Sequence, residues 1–89
     1  TLRINHAMAL LAAGRAAEAE RTLQSLVSSK LSKEVLANFE LAMAETHLAL
    51  GRKPEALETA GRVDRSQLLS PQLERLDRIA AQASGGGGQ

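Results

Sequence analysis

The chain has 89 residues, 44% of them hydrophobic, with 11 basic and 10 acidic side chains and a net charge of +1. That length fits one small domain, and so even a charge balance lacks the basic footprint that nucleic acid or an anionic membrane calls for. With no cysteine, disulfides, zinc–thiolate sites and thiol nucleophiles are excluded, and no apolar run approaches the roughly 20 residues of a membrane-spanning helix.

Ala and Leu dominate and Phe39 is the sole aromatic residue. Both are strong helix formers, and β-branched residues are few, so an all-α fold is expected. The first helix is predicted from Leu2 to about Ala13. Leu2, Ala7, Leu10 and Leu11 follow helical spacing, with Ile4 and Met8 on an adjoining stripe. Gly14 supplies the left-handed residue that commonly closes a helix. A second helix is predicted over 16–28, burying Ala19, Leu23, Leu26 and Val27 and turning Glu18, Arg21 and Gln24 outward. A linker, Ser28 to Leu31, follows.

Ser32 is placed to cap a third helix, Lys33 to Leu50, and Glu34 suits the positive end of its dipole. Val35, Leu36, Phe39, Met43, His47 and Leu50 form its main predicted stripe. Leu41 and Leu48 form a second one, so this helix is expected to be covered on more than one side. Gly51 ends it and Pro54 opens the fourth, since a first-turn Pro lacks only an amide that would be unpaired there. The fourth helix runs to Val63 with Ala56, Leu57, Ala60 and Val63 inward, and Glu58–Arg62 as an i,i+4 pair. Gly61 within it points to a close helix contact or an early end of the helix, the first being favoured. Ser70-Pro71 starts a fifth helix, to about Ala83, with Leu73, Leu76, Ile79 and Ala83 inward and Glu74–Arg78 as a second i,i+4 pair. Residues 84–89, with four consecutive Gly, read as a flexible tail.

Gly51 lies 37 residues after Gly14, and each is followed five residues later by Ala, at Ala19 and Ala56. Ala7 and Ala44 occupy matching places on the preceding helices. This pattern resembles the tetratricopeptide repeat. In that family a small residue on each helix and a Gly between them let the two helices pack closely. The expected fold is therefore a short right-handed α-solenoid of antiparallel helical hairpins. It comprises hairpins over 2–28 and 33–64 and a capping helix over 71–83, within one domain of residues 1–83. Against the family's pattern, the period exceeds the usual 34 or so, Arg3 and Glu40 stand where an aromatic is typical, and neither hairpin ends in Pro. Two copies are fewer than the roughly three that stabilise such arrays. More repeats before Thr1, or another chain, are expected to complete the stack.

The resemblance implies a protein–protein interaction scaffold that holds a partner peptide or amphipathic helix in the groove lined by the first helices. Carried over, that groove is Ile4, Asn5, Met8, Leu11 and Ala12 in the first copy. In the second it is Leu41, Ala42, Glu45, Leu48 and Ala49, with Asn38 a polar exception. The alternatives are a small chaperone for an assembly-prone subunit, or a permanent subunit of a larger complex in which the groove is filled. His6 and His47 are expected to pack or hydrogen-bond. Neither has metal-ligand spacing, so no metal and no cofactor are assigned. No nucleophile elbow, phosphate loop or paired-carboxylate site is present, and no enzyme is expected. The Ala, Leu, Gly and Arg bias resembles that of a GC-rich bacterial protein, cytoplasmic or periplasmic.

Overall fold

A computed structural model describes residues 2–26 and 30–84. Among them are five α-helices and no strand: α1 (Leu2–Ala12), α2 (Ala16–Gln24), α3 (Lys33–Ala49), α4 (Lys53–Arg62) and α5 (Ser70–Ser84). A 3-10 turn (Arg65–Gln67) precedes α5. The predicted inward Val27, the Ser28–Ser29 part of the linker and residues 85–89 of the tail lie outside the described residues, as does the side chain of Leu2.

The two hairpin turns are built alike. Gly14 and Gly51 have φ of 79° and 80°, a conformation that costs a glycine little and other residues a steric clash with Cβ. In the first turn Arg15 N–H donates to the Leu10 carbonyl at 2.8 Å and Gly14 N–H to Leu11 at 3.0 Å. In the second, Arg52 N–H donates to His47 at 2.8 Å and Gly51 N–H to Leu48 at 3.1 Å. Each turn thus satisfies the same two orphan carbonyls of the preceding helix, the Schellman arrangement. Ser32 caps α3 as expected, accepting from Val35 N–H at 3.3 Å. Pro54 sits in the first turn of α4, which begins one residue earlier, at Lys53.

Hairpin α1–α2 and hairpin α3–α4 stack side by side, and α5 packs on both helices of the second. Ala7, Ala19, Ala44 and Ala56 are all fully buried. A side chain no larger than a methyl group lets the paired helices approach closely. The core falls into two clusters divided by α3. One gathers Ile4, Ala7, Leu10, Ala19, Leu23 and Leu26 from the first hairpin against Ala42, with Val35, Phe39 and Met43 packed on it. The other joins Ala37, Leu41 and Ala44 of α3 to Ala60, Val63, Leu68, Leu76 and Ile79. Helix α3 is apolar on two sides because it serves both clusters.

Several predicted contacts are corrected. Leu36 and Leu57 are 41% and 42% exposed, not inward. The buried faces of α3 centre on Ala37, Leu41 and Ala42, and Leu36 falls outside them. Leu57 lies roughly 100° round α4 from Ala56, beyond the arc the neighbouring helices cover. Thr46 and Thr59 are buried in their stead, and the Thr46 hydroxyl donates to the Ala42 carbonyl at 2.8 Å. Gly61 makes no close contact, since a Cβ there would meet nothing within 4 Å; it marks the approaching end of α4. Arg62 reaches across to Glu40 on α3 at 3.6 Å rather than to Glu58. Among the described residues Glu74 and Arg78 make no ion pair, and Asp77 takes Arg65 at 2.9 Å.

A candidate partner groove between the first helices

Because each hairpin is a helix followed by its return, α1 and α3 lie on one side of the stack, and α5 continues their row. Between these three helices is an open cavity of about 260 Å³ lined by Met8, Leu11, Ala12, Glu45, Ala49 and Arg75. The α1 wall is apolar. Met8 and Leu11 are half-buried and lean on the first core cluster, so their outer surfaces are held in place by packing. Ala49 continues this floor from the last turn of α3.

The charged edge comes from α3 and α5. Glu45 Oε1 stands 3.7 Å from Arg75 Nε, beyond hydrogen-bonding distance. That oxygen is sealed from solvent and accepts no hydrogen bond. Elsewhere the charged side chains settle on the outer surface. Arg52, the residue that precedes α4, bonds Glu20 of α2. Arg15 forks onto both oxygens of Glu18, at 2.8 and 2.7 Å, and holds that carboxyl below its ordinary value, with the nearby Arg15, Arg21 and His6 charges adding to it.

Of the predicted groove residues, Met8, Leu11 and Glu45 line the cavity, as do Ala12 and Ala49. The others are placed differently. Leu41 is 2% exposed and sits inside the second core cluster with Leu76 and Ile79 of α5. Ile4 and Ala42 are 6% and 1% exposed in the first cluster. These are corrections with one cause: the predicted set takes in side chains that turn into the stack along with those that face the cavity. Leu48 is half-buried and packs against the second cluster. The apolar stripe of Leu41 and Leu48 is thus covered in cis. Asn38 is engaged internally, donating to the Glu34 carbonyl at 3.0 Å and accepting from Gln72 of α5. Asn5 is exposed and does not line the cavity.

Arg75 also lines the cavity, and the sequence reading did not name it. Its signal was present: it adjoins Leu76, at the edge of the α5 stripe on the side of Gln72 and Ile79. Reading α5 only as a lid hid it. His6 is exposed, and His47 is half-buried with its Nδ1 closed off and without a hydrogen-bond partner. Among the described residues no three His, Asp or Glu side chains gather as a metal site would require, and no helix is long and apolar enough to cross a membrane.

Paired helices joined by left-handed glycines and stacked in register define a helical-hairpin repeat protein. The chain belongs to the tetratricopeptide repeat family, whose sequence profile matches residues 1–25 and 37–62, together more than half its length. These two segments cover α1–α2 and most of α3–α4. Repeats of this family generally mediate protein–protein interaction and are not catalytic modules. Neither the curated proteins nor the solved structures contain a match to the chain.

Proposed function

We propose that the chain is an interaction scaffold that takes apolar side chains of a partner peptide or helix into the cavity between α1, α3 and α5. One observation carries this reading: an open cavity of about 260 Å³ with an apolar floor of Met8, Leu11, Ala12 and Ala49 and charges only at its edge. Small-molecule sites run to roughly 300–1,000 Å³. A smaller, open hollow suits one or two side chains of a protein better than a whole metabolite. Met8 supports such a use, because an unbranched thioether adapts to different partner shapes. A helix laid across the groove would press every third or fourth residue into it. This reading requires no catalysis, metal or cofactor.

The test is co-purification with the full chain as bait, wild type beside Ala49→Trp. The new indole fills the hollow from an exposed position without changing charge. A chain retained by the wild type and lost from the variant, with helicity unchanged, is the expected result. Identical bound chains for both baits would remove the groove from consideration.

A further inference from the structure

We propose that Met8 is an oxidation site opening on the cavity, where a hydroperoxide converts its thioether to the sulfoxide and turns the apolar floor polar. The site lies in the cavity described above but does not depend on what docks there.

The chain has two methionines, Met8 and Met43, and no cysteine, tryptophan or tyrosine. The two thioethers are therefore the groups that a two-electron oxidant attacks first. Both are half-buried, and both pack against the first core cluster. They differ in one respect: Met8 lines the open cavity between α1, α3 and α5, and Met43 does not. At about 260 Å³ the cavity is several times the roughly 30 Å³ that one water molecule occupies, so it admits hydrogen peroxide. The sulfur attacks one peroxide oxygen and the O–O bond breaks. That oxygen stays on sulfur, and the other leaves with both protons as water. Sulfur is oxidised by two electrons and the peroxide is reduced by two. The sulfoxide oxygen is a hydrogen-bond acceptor set among Leu11, Ala12 and Ala49, and Arg75 is the lining side chain that can donate to it. At 3.7 Å the Arg75 Nε makes no hydrogen bond to Glu45, so its N–H is not already spent there. Oxidation thus removes apolar floor and ties α1 to α5 across the cavity.

Peptide mapping of the full chain during hydrogen peroxide treatment tests the site. Tryptic cleavage separates the two thioethers, into residues 4–15 and residues 34–52. In the folded chain the Met8 peptide should gain its oxygen severalfold faster than the Met43 peptide, and the difference should vanish in guanidinium chloride. Equal rates in the folded chain, or a faster Met43, overturn the proposal. The consequence is read in a Met43→Leu chain, a swap of similar volume, oxidised fully at Met8. Its circular dichroism should stay native, while the NMR signals of the Ala12 and Ala49 methyls and the Arg75 Nε–H move. A Met8→Leu chain under the same treatment should show none of these shifts. Shifts confined to Leu10 and Leu23, with the Arg75 Nε–H unmoved, would show that the sulfur turns into the core and would overturn the proposal, as would loss of native helicity. Neither measurement involves a partner, so the Ala49→Trp comparison judges the docking reading separately.

Discussion

The side-chain amide of Gln72 on α5 donates to Oδ1 of Asn38 on α3, while the Gln72 carbonyl accepts from the Leu69 backbone N–H at 2.8 Å. One side chain thus caps the start of the closing helix and clips it to the second hairpin. Asn38 is itself held by its bond to Glu34.

Gln72→Ala should therefore loosen α5. The loss of a partly buried hydrogen bond predicts about 1 kcal/mol, read as a lower denaturant midpoint. Amide exchange should quicken over 70–84 and stay unchanged in α1 and α2, since α5 packs chiefly on α3 and α4. Uniform quickening across the chain would show that α5 is not a separable unit.

Leu41 distinguishes core from groove. Leu41→Ala should cost about 2–5 kcal/mol, the range for deleting a buried leucine side chain. In a chain this small that is a large part of the total stability. Leu41→Glu should abolish the fold, because the charge would be stranded between α3, α4 and α5. Thermal melts followed by circular dichroism check both. A Leu41→Glu protein with native helicity would mean that α5 does not cover this face in solution.

The two glycines of the second hairpin should respond in opposite directions to the same change. Gly51→Ala forces a Cβ into a φ of 80° and should destabilise by about 1–2 kcal/mol. Gly61→Ala introduces a methyl that meets nothing within 4 Å, inside a helix, and should stabilise by up to about 1 kcal/mol. Paired melts of the two variants decide it, and destabilisation at Gly61 would reveal a close contact there.

Two exposed carboxyls set an acid limit. Glu18 is held below its ordinary 4.5 chiefly by its hydrogen bonds from Arg15. Asp64 is held below 3.8 by bonds from the Ser66 hydroxyl at 2.6 Å and the Ser66 N–H at 3.1 Å. A depressed carboxyl adds stability that is complete above its unfolded value and is lost as pH falls through the folded one. Melting temperature should be flat down to about pH 5 and then decline into the region below 3.8, where Asp64 also titrates. The doubly substituted Glu18→Gln, Asp64→Asn chain should show a shallower decline. An equal slope would mean these two groups are not the cause.

The family and the hairpins were legible because local chemistry writes them directly. Gly14 and Gly51 mark turns whose φ only glycine adopts freely, and Ala7, Ala19, Ala44 and Ala56 sit where helices cross. The lining of the cavity was half legible. Met8, Leu11 and Glu45 line it as repeat register suggested, but Leu41, Ala42 and Ile4 were assigned to the same surface and are interior. Register fixes a side chain's direction on its own helix and leaves open which neighbour covers it.

Sequence alone determined that this chain makes antiparallel helical hairpins, since capping residues, glycine turns and 3.6-residue periodicity act within a few residues of one another. Only the tertiary structure decided which apolar stripe stays open. Helix α5 docks through Asn38 and Gln72, covers Leu41 and brings Arg75 to within 3.7 Å of Glu45, 30 residues earlier in the chain. That pairing depends on how three helices pack, and no local signal encodes it.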